Sequence, residues 1–264
     1  MKKYLEIAKI HFKMQLIYRF DTMVSIVFTI SKIILAYLLW GGIFHNRDIV
    51  SGFTFNEMIS YYVISAFMAQ LDQSSSIGGQ ISQQIRDGQF SKYMIKPIHI
   101  FGYFTFQTVG ISVFLLFFNF IAAVLWIFVF QMEFIITREV TLILSGIIMC
   151  MLGLLFMVQL NFFIGILAFK FIDTSIFMMI KDNVVQFVTG SLIPLMLLPS
   201  FALHIMRCFP FYYIIYVPTM LFLGKNQNEI FTGIVILLLW NLCFVPLNSI
   251  SYNKLRNKYD GVGI

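Results

Sequence analysis

Apolar runs long enough to cross a bilayer alternate with short polar stretches along the whole chain. The first, about Thr22 to Phe44, has Lys32 as its only charge and leaves through Gly41 and Gly42 into His45, Asn46, Arg47 and Asp48. A second runs from about Phe55 to Ile77, its far end turning polar through Gln70, Asp72, Gln73 and Ser74. After Pro97 a third extends from about Ile98 to Phe130, a fourth from about Val140 to Phe169, a fifth from about Asn183 to Leu198 and a last from about Glu229 to Ile250. A spanning helix needs about 20 apolar residues, so the pattern predicts six transmembrane helices. The third run is long enough to tilt or to protrude beyond about 30 Å of hydrocarbon.

Two stretches break this rhythm. Lys2, Glu6, Lys9 and Lys13 share one narrow sector of a helical wheel, flanked by Leu5, Phe12 and Leu16 on one side and by Ile7, Ile10, Met14 and Ile17 on the other. That arrangement predicts an amphipathic helix lying on the membrane surface over residues 1–21, ending near Arg19. With charge every few residues it does not read as a signal peptide. Between Pro194 and Leu223 the chain is apolar yet holds Pro194, Pro199, Pro210 and Pro218, four of its six prolines. An interior proline removes a backbone bond and clashes with the preceding turn, so short re-entrant helices are expected over 199–226 instead of one continuous span.

Composition agrees: 59% of the 264 residues are hydrophobic and 11% charged, against roughly 25% charged in a soluble domain. The expected fold is therefore a single all-α integral membrane domain over 1–264. The net charge of +6 does not form a basic face for nucleic acid, because Lys and Arg fall in clusters between apolar runs. With the N-terminus inside, the inner segments hold Lys2, Lys3, Lys9, Lys13, Arg19, Arg86, Lys92, Lys96, Lys170, Lys181, Lys254, Arg256 and Lys258. The outer ones hold Arg47, Arg138, Arg207 and Lys225. Thirteen against four predicts both termini in the cytoplasm, with residues 251–264 as a basic cytoplasmic tail.

Catalytic signatures are missing from the sequence. No Gly-rich loop ends in Gly-Lys-Ser/Thr, no Gly-x-Ser-x-Gly elbow occurs, and His11, His45, His99 and His204 stand apart without a second ligand at helical spacing. Cys150, Cys208 and Cys243 are far apart and read as apolar filler. A membrane enzyme or a passive channel is thereby disfavoured, and no cofactor is expected in the chain itself. Lys32, about ten residues into the first run, and Asp72, at the end of the second, are candidates to line a translocation path, because charge at membrane depth is costly without a function.

Residues 78–97 form a hydrophilic segment between the second and third runs. Ile81 and Ile85 make one helical stripe, Gly88 offers a stop, and Phe90, Tyr93 and Met94 make a second stripe. By spacing alone the segment fits equally well a helix that docks into a partner's groove or an interfacial loop anchored by aromatics. Its residues Ile85, Arg86, Asp87, Gly88, Gln89, Phe90, Tyr93, Lys96, Pro97 and Ile98 closely resemble a segment of the ABC type-2 exporter permeases.

The resemblance extends over most of the chain. Tyr18, Arg19, Phe20 and Asp21 resemble that family's approach to its first span, and Gly52, Phe53, Thr54, Glu57, Met58, Tyr61 and Tyr62 the start of its second. Pro194, Pro199, Pro210, Phe211, Tyr213, Pro218 and Gly224 are similar to its outer re-entrant region. Lys254, Leu255, Arg256, Tyr259, Asp260, Gly261 and Gly263 are similar to its basic tail. Gln89 and Ser91 stand where acidic residues are common in that family.

The resemblance implies a six-span permease subunit of a bacterial inner membrane, pairing with a second permease, as homodimer or heterodimer, and with two cytoplasmic ATPase subunits that bind ATP and Mg. It further implies that Ile85, Arg86, Asp87, Gly88, Phe90, Tyr93 and Lys96 couple to the ATPase. The N-terminal helix, with Lys2, Glu6, Lys9, Lys13 and Arg19, would help clamp the same partner. The expected cargo is an amphipathic or hydrophobic molecule such as a drug, an antimicrobial peptide or a lipid-like compound; a polysaccharide or lipid-linked glycan is the variant.

Overall fold

A computed structural model describes residues 2–130, 133–171, 173–190, 195 and 198–257. Pro194 and the tail from Lys258 onwards, including Tyr259, Asp260, Gly261 and Gly263, lie outside the described residues. So does the side chain of Arg19. The described chain is helical, with one isolated antiparallel bridge, Val50 to Phe53, and no strand among the described residues.

Eleven α-helices follow one another among the described residues: α1 (Lys2–Ile17), α2 (Arg19–Phe44), α3 (Phe55–Leu71), α4 (Ser75–Arg86), α5 (Ser91–Met94), α6 (Ile100–Phe130), α7 (Val140–Ile166), α8 (Ser175–Val188), α9 (Ser200–Met206), α10 (Tyr216–Phe222) and α11 (Ile230–Arg256). Among the described residues four helical stretches are long and apolar enough to cross a membrane: Phe20–Phe44, Ile100–Ile121, Val140–Phe169 and Gln227–Arg256. A fifth arises if Ser200–Met206 and Pro210–Phe222, which meet at 95°, count as one. The other two expected spans are short. α3 has 17 residues and α8 has 14, so at about 1.5 Å per residue neither matches about 30 Å of hydrocarbon. The expected continuation of α8 through 191–194 and 196–197 falls on residues outside the described set.

Local chemistry sets the helix ends. Thr54 caps α3 with a reciprocal box, its hydroxyl accepting from the Glu57 amide at 3.3 Å while the Glu57 carboxylate accepts from the Thr54 amide at 2.9 Å. α4 stops at Gly88, whose φ of 70° suits glycine. The expected single N-terminal helix over 1–21 is divided at Tyr18, so that Arg19 already belongs to α2.

α7 is the central element and packs on α4, α6, α8, α10 and α11. Two cores surround it. The larger joins α2, α3, the Tyr212–Leu223 region and α11 through residues such as Met58, Tyr61, Met149, Phe156, Val217 and Leu237. The smaller joins α4, α5, the start of α6 and the end of α7 through Ile77, Ile81, Phe90, Phe104, Phe162 and Ile166. Lipid gives helices no hydrophobic reason to associate, so close packing of small residues matters. Gly165 of α7 is such a point: a Cβ there would lie 2.9 Å from the Ile81 Cβ and 3.2 Å from the backbone of Gly78. Outside these cores, large side chains including Phe28, Leu35, Phe117, Met151, Phe231 and Leu242 remain exposed. Water would not tolerate so continuous an apolar surface; a bilayer requires it.

Candidate functional site: a polar ledge on a buried polar web

The ledge is built by α4, the Gly88 turn and α5. Ile77, Gly78, Ile81, Ser82 and Ile85 form the buried face of α4, while Gln83, Arg86 and Asp87 are exposed. Beyond the turn, Phe90 and Tyr93 are also buried. Phe90 meets Phe169 at 5.2 Å between ring centroids, and Tyr93 meets Tyr103 and Phe104 each at 5.4 Å. Burial, with Tyr103 beside it, pushes the Tyr93 hydroxyl up to about 12. The Lys96 ammonium lies 5.2 Å from the Tyr93 ring and 5.1 Å from that of Tyr103, a cation–π seat for an otherwise exposed side chain.

This arrangement corrects one expectation about the segment. Ile85, Phe90 and Tyr93 are not knobs offered to a partner, because α7 and the first turns of α6 already cover them. The surface left for contact is mostly polar, with Gln83, Arg86, Asp87, Gln89, Ser91, Lys92 and Lys96, and carries Met94 and Ile95 as exposed apolar side chains. Arg86 reaches Asp173 at 3.6 Å, linking the ledge to the connection before α8. Asp173 also accepts from the amide and the hydroxyl of Ser175, both at 2.8 Å. The Ser175 amide, then its hydroxyl, and then Arg86 hold the Asp173 carboxyl below its ordinary value.

Behind the ledge lies a buried polar web. The Ser74 amide donates to Asp72 at 3.0 Å, and the Ser74 hydroxyl donates to the same carboxylate. Asn161, in the last turns of α7, donates to the Ser74 oxygen at 2.8 Å and to the Met157 carbonyl at 2.9 Å. Its own oxygen accepts from Lys181 at 2.9 Å, and Lys181 pairs with Asp182. A second link runs from the Thr174 hydroxyl to Ser82 at 2.9 Å. Hence the α3–α4 joint, α7 and α8 are tied by one chain of hydrogen bonds. Lys181 and Asp182 were expected in a polar connection; instead α8 begins at Ser175, and the Lys181 side chain is 6% exposed. The available sign was Asn161, which with Gln159 two residues before it sets amides in an apolar run, and an amide at membrane depth must find a partner.

The two path candidates are not brought together. Asp72 belongs to the web, whereas Lys32 is exposed on α2 and forms no ion pair among the described residues. The link from α2 to α3 at this level is a Gln70–Thr29 hydrogen bond. On α1, Lys2, Glu6, Lys9 and Lys13 are all exposed. The opposite face lies along α6. Tyr4 stacks on Phe106 at 5.3 Å and its hydroxyl accepts from the His99 amide at 3.1 Å, while Phe12 meets Phe114 at 5.5 Å. Gly110 admits the α1 backbone so closely that a Cβ would lie 2.2 Å from the Ala8 oxygen. Half-burial here lowers the His11 pKa. Leu5, Ile10, Leu16 and Ile17 stay exposed beside the charges.

Long apolar helices with lipid-compatible surfaces, wrapped around internal polar links, define a multi-pass membrane protein. The sequence profile of the ABC-2 family transporter proteins matches residues 30–263, and the chain belongs to that family. Its membrane subunits are transport permeases without an ATPase of their own, and they generally work with ATPase subunits. No curated protein and no solved structure matches the chain.

Proposed function

We propose that the chain is the permease subunit of an ATP-binding-cassette exporter of a bacterial inner membrane. It carries an amphipathic or hydrophobic molecule out of the cytoplasm using ATP and Mg bound by partner subunits. Two ATPases and a second permease complete the assembly, with both chain termini in the cytoplasm and the bent Ser200–Phe222 region dipping into the outer leaflet. In this reading α1 lies at the inner interface and, with the ledge, grips the ATPase, while Lys32 and Asp72 face the route of the cargo.

The observation that carries the proposal is the construction of the ledge. Its apolar face is locked against α7 and its polar face is free, so a push on Arg86, Asp87 or Lys92 moves α4 and α7 together without compressing a soft contact. Thirteen Lys and Arg on the inner segments against four outside support the orientation.

The test is reconstitution with the partner ATPase. Arg86→Glu inverts the exposed charge, and Gly88→Pro removes the φ of 70° that turns the chain. Each variant should lower permease-dependent ATP hydrolysis at least fivefold while inserting normally. Wild-type hydrolysis in both would show that the ledge is not the coupling surface.

A further inference from the structure

A cavity of about 760 Å³ opens between the start of α6, the second half of α7 and the last turns of α11. Its volume lies within the roughly 300–1,000 Å³ of small-molecule sites. It adjoins the ledge, whose Tyr93 and Met94 contribute to its lining, and does not include Lys32 or Asp72. Phe101, Phe162 and Tyr252 supply aromatic walls, Gln159 and Asn248 line it as well, and Arg256 belongs to its rim. Among the described residues no carboxylate lines it.

The orientation of the amides is fixed by carbonyls that can only accept. Asn241 donates its amide hydrogens to the Leu152 and Leu237 carbonyls at 3.0 and 2.7 Å. Its oxygen therefore faces Gln159 and accepts from the Gln159 Nε2 at 2.6 Å. That leaves the Gln159 Oε1 as an acceptor without a donor. Asn248 in turn donates to the Gln159 carbonyl at 3.1 Å, which leaves the Asn248 Oδ1 in the same condition. The two residues are 1% and 5% exposed. Buried acceptors without donors are costly, and both belong to side chains that line one cavity.

Asn248, Tyr252 and Arg256 follow at intervals of four on α11, a stripe about 12 Å long. It runs from an unpaired acceptor past an aromatic ring to a cation 5.4 Å from that ring. A ligand that fits this stripe has hydrogen-bond donors at one end, an apolar body beside them and no positive charge, since the lining among the described residues has a guanidinium and no acid. We propose that the cavity binds a neutral or anionic amphiphile whose hydroxyl groups donate to Gln159 and Asn248 while its apolar body lies against Phe101, Phe162 and Tyr252. The site stands whether or not the chain is coupled to an ATPase. Its occupant is either a resident hydroxyl-bearing lipid or a molecule in transit.

The probe is a 1-monoacylglycerol with a diazirine in its acyl chain, photolysed with the purified full-length chain in phosphatidylcholine nanodiscs. Labelling should map to peptides containing Phe101, Phe162 and Tyr252. Unlabelled monoacylglycerol should compete at least tenfold better than its dimethyl ether, which has no donors. Asn248→Leu should lower labelling about tenfold. Ser249→Trp, which fills the cavity from its lining without touching the amide network, should do the same. In a coupled complex, loss of label during ATP turnover upholds the site as a cargo site, and label unchanged by turnover upholds it as a lipid site. Label spread over the lipid-facing helices, or equal competition by the ether, would overturn the proposal.

Discussion

The two ends of α3 mark two ways of holding charge. At the Asp72 end, Lys181 is sunk among α7 and α8 with Asn161 and Asp182 as partners. At the Glu57 end, Lys225 reaches Glu57 at 3.0 Å and the Gly52 carbonyl at 2.9 Å, and Arg207 reaches Glu229 at 2.7 Å. The Lys225 side chain keeps 26% of its surface exposed, against 6% for Lys181. A buried cation must be satisfied and so fixes the positions of whole helices. An exposed pair competes with water and salt, and orders only the loop that it touches.

Removing Lys181 should show the difference most strongly. Breaking a buried ion pair costs about 3–5 kcal/mol, and with Asp182 half exposed we expect about 2 kcal/mol for Lys181→Ala, read as a lower unfolding temperature in detergent. An unchanged unfolding temperature would erase the contrast between the two ends.

Gly165→Leu tests whether the close approach of α4 matters as much as the web beside it. Overpacking costs about 1–3 kcal/mol, and here the obstacle is backbone at Gly78 as well as the Ile81 side chain. The variant should lose stability and, in the coupled complex, ATPase stimulation. Full stimulation would mean that α4 can shift on α7 without consequence.

Lys225→Ala should cost no more than about 1 kcal/mol. Its signature is local: faster proteolysis in the Val50–Thr54 turn, where Lys225 also lies 3.7 Å over the Phe53 ring, with the unfolding temperature nearly unchanged. A large drop in that temperature would place this end on a par with the other.

The smallest effect concerns acid. Because Asp173 has a lowered carboxyl pKa in the folded chain, its contribution is complete above the ordinary value of about 3.9 and is lost as pH falls through the folded one. Protection from hydrogen exchange at the start of α8, taken relative to the intrinsic rate at each pH, should therefore fall below about pH 4, and Asp173→Asn should abolish that fall. Persistence of the dependence in the variant would assign it to another group.

Much of the architecture was legible because hydropathy is a local property. The long runs around Ile33, Phe114, Met149 and Leu237 carry their own length signal, and Thr54 with Glu57 carries its own cap. Lys181 was not legible, because its burial depends on Asn161 from another helix; beside Asp182 it has the local appearance of a loop charge. The ledge shows the same limit. The spacing of Ile81, Ile85, Phe90 and Tyr93 identifies an apolar face but not its direction, which is decided by Gly165 and Phe162 far along the chain. The amides of Gln159, Asn241 and Asn248 went unread because their pairing is set by the packing of α7 on α11, which neither run shows by itself.

The seam between α1 and α6 sets an order of events during synthesis. Tyr4, Ala8 and Phe12 have their contacts at His99, Phe106, Gly110 and Phe114, which emerge from the ribosome roughly a hundred residues later. At about 5–20 residues per second, α1 waits roughly 5–20 s with its aromatic face uncovered, and the bilayer surface is the nearest apolar shelter. Nascent chains arrested before residue 99 should therefore show Tyr4 accessible to lipid-borne quenchers, and chains arrested well past Phe114 should show it withdrawn.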